Sequence, residues 1–181
     1  MLTRRRFITS ATITMGSLSL ARPDQMHTMP ARKPDPDKPA AEYKFFTQEQ
    51  VKKLEVIVDQ IIPPDENYPG AKDAGVARYL DNALANWLPQ NRWDYLAGIE
   101  GIDESSNLLF KKDFIELESN QQKSVLERIE QGKVPGSAWA GREGEMFMRL
   151  LTNHCMQGYY GDPAYGGNKD QLSWAMIGWM R

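Results

Sequence analysis

The pair with the most evident chemical potential in this 181-residue chain is His154-Cys155. A thiol beside an imidazole invites a nucleophile with its base, or two ligands of one metal. Helical geometry opposes both, because adjacent side chains on an α-helix diverge by about 100°. A nucleophile also needs a base that a third group orients, and the other histidine, His27, lies among prolines far from it in sequence. One cysteine and two histidines cannot complete a Cys/His zinc site within the chain. In an exported protein Cys155 has no internal partner, so it is a candidate intersubunit disulfide, with a buried inert thiol as the alternative.

The other groups capable of chemistry are weaker. Asp65, Glu66, Asp73 and Asp162 stand in turn-like contexts, where a carboxylate bonding nearby N–H groups explains them without catalysis. Lys111-Lys112-Asp113 reads as a solvated face. The composition holds 22 Lys+Arg against 24 Asp+Glu, with a pI near 5.8, which argues against nucleic-acid binding driven by counterion release. No strand-like run leads into a G-x-G-x-x-G or a P-loop, so a dinucleotide-binding fold is disfavoured. What remains is a crowd of rings, Tyr159, Tyr160, Tyr165, Trp174 and Trp179, in a glycine-rich tail. Such a crowd either packs its loop onto a core or forms a contact surface.

The elements that must position these residues are helical. Thr47-Gln48-Glu49-Gln50 is a capping box, followed by Val51, Leu54, Ile57, Val58, Ile61 and Ile62 at helical spacing until Pro63-Pro64 stops the helix. Val76, Tyr79, Leu80, Ala83, Leu84 and Trp87 mark the inner face of a second helix, closed by Pro89. Weaker patterning runs through Trp93, Tyr95, Leu96, Ile99 and Ile102, then Leu108, Leu109 and Phe110. Ser119-Asn120-Gln121-Gln122 reads as a second capping box, opening a helix with Val125, Leu126 and Ile129 inward. A further amphipathic helix is expected from about residue 142 to 156, with Met146, Phe147, Leu150 and Leu151 on one face. From Gln157 onward the glycines at 158, 161, 166 and 167 predict a structured loop. The expected fold is mainly α: an irregular bundle of five or six helices with a Gly/aromatic-rich structured C-terminal loop.

The first 21 residues read as an address. Arg4, Arg5 and Arg6 precede a moderately apolar run too short to span a bilayer, and Ser19-Leu20-Ala21 offers small residues for cleavage after Ala21. Thr3-Arg4-Arg5-Arg6-Phe7-Ile8 resembles the twin-arginine export motif, with Thr9 where a lysine is usual. The general secretory route is the rival, since its leaders also carry basic heads. That signal peptide, residues 1–21, is followed by a Pro-rich linker at 22–44 and a helical domain at 45–181. Removal of the signal takes three arginines and no acid, so 19 basic residues face 24 acidic ones, a net charge of −5. No transmembrane helix is expected after that removal.

Two stretches carry a family resemblance. One is the helix running into Ile61-Ile62-Pro63-Pro64-Asp65 and then Pro69-Gly70-Ala71-Lys72-Asp73-Ala74-Gly75-Val76 before Tyr79-Leu80. The other is Gly158-Tyr159-Tyr160-Gly161-Asp162-Pro163 with Tyr165-Gly166-Gly167-Asn168, followed by Trp174 and Ile177-Gly178. Together they resemble the gluconate 2-dehydrogenase subunit 3 family, the small subunit of membrane-associated flavin-dependent sugar and sugar-acid dehydrogenases. The chain departs from the family pattern in ending Trp179-Met180-Arg181.

The resemblance implies a non-catalytic partner with no cofactor of its own. It implies a large dehydrogenase subunit that binds FAD and often passes electrons to a cytochrome c subunit. The small subunit would escort and stabilise that chain, and its twin-arginine signal, with Arg4, Arg5 and Phe7, would take both to the periplasm. The candidate interface is Tyr159, Tyr160, Asp162, Pro163, Tyr165, Gly166, Gly167, Asn168 and Trp174. The alternative is a stand-alone periplasmic binding module whose aromatic tail contacts carbohydrate.

Overall fold

The computed structural model describes residues 42–134, 139 and 143–179. The leader expected at 1–21, with Arg4, Arg5, Phe7 and Ala21, and the linker up to residue 41 lie outside the described residues. The described residues form six α-helices with short 3₁₀ turns between them. They are α1 Gln48–Ile61, α2 Val76–Asn86, α3 Arg92–Phe110, α4 Ser119–Glu130, α5 Glu143–Tyr160 and α6 Leu172–Met176. No helix among the described residues is long and apolar enough to cross a membrane.

The capping box at Thr47 forms as its residue types require. Gln50 N–H donates to Thr47 Oγ1 at 3.2 Å, and Thr47 N–H donates to Gln50 Oε1 at 2.9 Å. The second box forms one residue earlier than expected, between Glu118 and Gln121. Gln122 is diverted inward, where its amide donates to Phe114 O at 3.0 Å and accepts from Gln60 at 2.9 Å. Both registers satisfy the same local rule, and the buried partners of Gln122 select between them.

Tyr43 opens the compact unit that holds the helices. The N–H groups of Lys44, Phe45 and Phe46 converge on the buried Asp81 carboxylate at 2.8, 2.9 and 3.0 Å. The segment before α1 is therefore clipped to α2 by charge-assisted bonds in a site without competing water. At the other end of α2, Arg92 donates from Nε to Leu84 O at 2.8 Å and from a terminal nitrogen to Ala85 O at 3.0 Å. A cation on otherwise unpaired carbonyls suits the helix dipole there.

Helix α5 is the centre of the bundle, touching α1, α2, α3, α4 and α6. Its buried residues are Gly144, Phe147, Met148, Leu151, His154, Cys155, Gly158 and Tyr159. Met146, expected to face inward, is 57% exposed. The helix also runs four residues beyond its expected end and carries Gly158 inside it. A β-carbon built there would stand 2.8 Å from Tyr79 Cδ1 of α2. Gly158 thus serves close helix packing and does not break the helix. Helix α3 is a single 19-residue element where the sequence pattern was faint, because it turns small residues, Gly98, Gly101, Ser105 and Ser106, toward the core.

Candidate functional site

The two stretches that define the sequence pattern, some eighty residues apart, are built onto each other. The Tyr159 hydroxyl donates to Pro69 O at 2.8 Å, Lys169 N–H donates to Ala74 O at 3.0 Å, and Asn82 Nδ2 donates to Tyr165 O at 3.2 Å. The Tyr79 hydroxyl donates to Gln157 Oε1 at 2.9 Å. Steric fit is as tight as the bonding. Gly75, which opens α2 with φ +74°, has Gly166 O at 3.2 Å from where its β-carbon would be, and Gly167 lies so close to Gly158 O that no side chain fits. A left-handed backbone with a carbonyl against it strongly favours glycine at 75.

Asn168 locks the tail from inside. It is fully buried and left-handed at φ 44°. Its amide donates to Gly161 O at 2.9 Å, and its Oδ1 accepts from Ser173 N–H at 2.9 Å and from the Ser173 hydroxyl at 2.8 Å. Asp170 and Gln171 also have positive φ, 56° and 59°. Three such residues within four positions cost about 1 kcal/mol each, so their packing and hydrogen bonds must hold them there. Trp174 donates its indole N–H to Tyr160 O at 3.0 Å, and Asp162 Oδ1 accepts from Ala164 N–H at 2.9 Å in the turn role expected of it.

The residues expected to meet a partner divide by burial. Tyr159, Gly167 and Asn168 are interior and shape the site from within. Tyr160, Pro163, Gly166 and Trp174 are half-buried, while Asp162 and Tyr165 are exposed. Trp87, read from its spacing as an inward residue, is instead 41% exposed and packs edge-to-face on Tyr165 at 5.4 Å. Tyr79 supports Trp87 from below at 6.1 Å. Ile177 and Trp179 are also exposed apolar side chains. The outer rim of the site is therefore the Trp87–Tyr165 pair on a hydrogen-bonded base.

The expected intersubunit disulfide at Cys155 does not fit the structure. Its side chain is wholly enclosed in the core, and burial pushes the thiol pKa far above its ordinary value, so neither access nor thiolate is available. His154 is also buried, its Nδ1 3.0 Å from the Tyr95 hydroxyl and its ring parallel to the Tyr95 ring. Desolvation lowers the His154 pKa and raises that of Tyr95. The pair is a satisfied core contact. Asp65 caps its own turn, accepting from Asn67 and Tyr68 N–H at 3.0 and 2.9 Å. Among the described residues, no three His, Cys, Asp or Glu side chains are grouped to hold a metal.

Comparison with known proteins places this arrangement. The family model described as Gluconate 2-dehydrogenase subunit 3 matches residues 48–180, a span that includes both halves of the site. No curated protein and no solved structure matches the chain.

Proposed function

The chain belongs to the gluconate 2-dehydrogenase subunit 3 family, and from that premise we propose that it is a non-catalytic small subunit. It escorts and stabilises an FAD-dependent sugar or sugar-acid dehydrogenase and supplies the export signal for both chains. FAD resides in the partner and none in this chain. The observation that carries the reading is the site's form. Two distant segments are spent on a hydrogen-bonded platform with a solvent-facing ring pair, Trp87 and Tyr165, at its edge. Rings held in place lose little conformational freedom on binding, which suits docking.

The leader supports the second half of the proposal. The twin-arginine route carries folded proteins, and a chain that folds against a flavoprotein gives that route a cargo. The complex then works in the periplasm, held at the membrane through a partner, with a cytochrome c subunit as one electron acceptor. Stabilisation follows from mass action, since a ligand at 100 times its Kd stabilises the folded partner by about 2.7 kcal/mol.

The test is native purification of the tagged full-length chain from its own cells. A yellow, FAD-containing polypeptide that elutes with it in a fixed ratio is the expected result. Elution of the small chain alone, with carbohydrate binding of its own, would overturn the proposal in favour of a stand-alone module. Replacing Arg4 and Arg5 together by lysine should leave both chains in the cytoplasm.

A further inference from the structure

A second feature lies apart from the tail platform. Between the first half of α3 and the first half of α5 is a cavity of about 550 Å³. Its floor is aromatic and fixed. Phe147 occupies the space that Gly98 leaves, and a β-carbon at Gly101 would stand 2.6 Å from the Trp139 ring. Trp139 and Phe147 stack at 5.8 Å, and the Trp139 indole donates to Ser105 Oγ at 2.8 Å. Its edge is apolar and open: Trp93 is 80% exposed and Met146 is 57% exposed. Trp, Phe, Met and Arg, residues enriched at protein interfaces, are all in the lining, with the acidic Asp94 and Glu143 beside them.

Two arguments join this cavity to the tail platform. The first is continuity. Met146, Leu150 and Asn153 line the cavity, and with Gln157 they follow one another at spacings of four, three and four, a single stripe along α5. Gln157 is bonded to Tyr79, which packs on Trp87, which packs on Tyr165. The stripe covers roughly 16 Å at 1.5 Å per residue.

The second argument is area. Taking about 200 Å² for a large side chain, the exposed parts of Trp87 and Tyr165 offer about 190 Å². A stable interface needs about 800 Å² from each partner. Trp93 and Met146 bring the apolar surface to about 460 Å² before any polar rim is counted.

We infer that the α3–α5 cavity and the tail platform are one docking surface, and that the flavin-binding partner inserts an apolar side chain into the cavity edged by Trp93 and Met146. Among the described residues, the lining carries the carboxylates of Asp94 and Glu143 and the guanidinium of Arg149. A basic residue beside the apolar anchor is therefore the matching chemistry on the partner. This inference rests on the proposed function and extends it by a second contact.

The experiment compares the native complex of the full-length chain with that of its Trp93→Asp and Met146→Lys variants. Both positions are exposed, and unchanged thermal melting of the isolated chain shows that the fold persists. The co-purified flavin per small chain should fall at least about tenfold in each, as for a hot-spot side chain. Ile115→Asp is the control, since Ile115 is 44% exposed just beyond the far end of α3; it should leave the yield unchanged. A wild-type chain that captures flavoprotein while Trp93→Asp and Met146→Lys capture as much would overturn this inference and leave the proposed function standing. A wild-type chain that captures none would bring down both.

Discussion

Replacing Gly158 with alanine tests whether the meeting of α2 and α5 is the foundation of the site. If Gly158 were an ordinary helix glycine, alanine would stabilise the protein by about 0.5–1 kcal/mol through backbone entropy. The structure predicts the opposite sign. The new methyl would stand 2.8, 3.0 and 3.1 Å from Tyr79 Cδ1, Cγ and Cβ. Those atoms belong to the root of a buried side chain whose far end is bonded to Gln157, so they cannot swing clear. Overpacking of this kind costs about 1–3 kcal/mol.

Set against the propensity gain, the net loss centres on about 1.3 kcal/mol, or about 4–5 °C in Tm for a domain of this size. Differential scanning calorimetry measures it directly. Combining Gly158→Ala with Tyr79→Ala should recover part of the Gly158→Ala loss, giving a coupling that two independent sites would lack. A Gly158→Ala protein that melts at or above the wild-type temperature would refute the packing argument. Because Tyr79 supports Trp87 and through it Tyr165, the same variant should also weaken capture of the partner.

Three further outcomes follow from buried groups. Asp81→Asn leaves one oxygen where two accept the N–H groups of residues 44 to 46 and turns an amide N–H toward a donor; it should cost about 2–3 kcal/mol in urea denaturation. Cys155, enclosed and with its pKa raised by burial, should resist a thiol-directed reagent in the native protein and react fully once denaturant unfolds it; rapid native labelling would contradict the placement. His154 has a folded pKa lowered by desolvation from its ordinary 6.5, so the unfolded chain takes up a proton first. Stability should hold above pH 6.5, fall as pH drops from there toward the folded pKa, and show a shallower acid loss in His154→Asn.

Local rules read the ends of elements well and their neighbours poorly. The Thr47 box, the Pro63-Pro64 stop and the inward faces of α1 and α2 follow from residue type and spacing, because each depends on atoms within one or two turns. Both halves of the site were also legible as motifs. That they touch was not, since the bond from Tyr159 to Pro69 spans ninety positions. Gly158 looked like a breaker because its reason is Tyr79, on another helix. Cys155 did carry a readable signal. Met148, Leu151, Cys155 and Gly158 are spaced three, four and three apart, which places the thiol on the buried stripe of α5. The exposure of Trp87, Trp93 and Met146 had no such signal, because amphipathic spacing assigns a residue to a face and only the packed bundle decides whether that face is covered.

The same division explains how a tail with three left-handed non-glycine residues can serve as a binding surface. A mobile loop that ordered only on contact would lose about 0.5–1.5 kcal/mol for each immobilised side chain at the moment of association. Here the ordering is done within the folded chain. Asn168 bonds to Gly161 and Ser173, Trp174 to Tyr160, and Lys169 N–H to Ala74, so the strain at 168, 170 and 171 is offset before any partner arrives. In the proposed docking, the buried residues of the motif would act on affinity through the shape they impose, and the exposed rings through contact. A pair such as Trp87–Tyr165 gains its usefulness from the buried Tyr79 and Gly158 beneath it, neither of which needs to touch the partner at all.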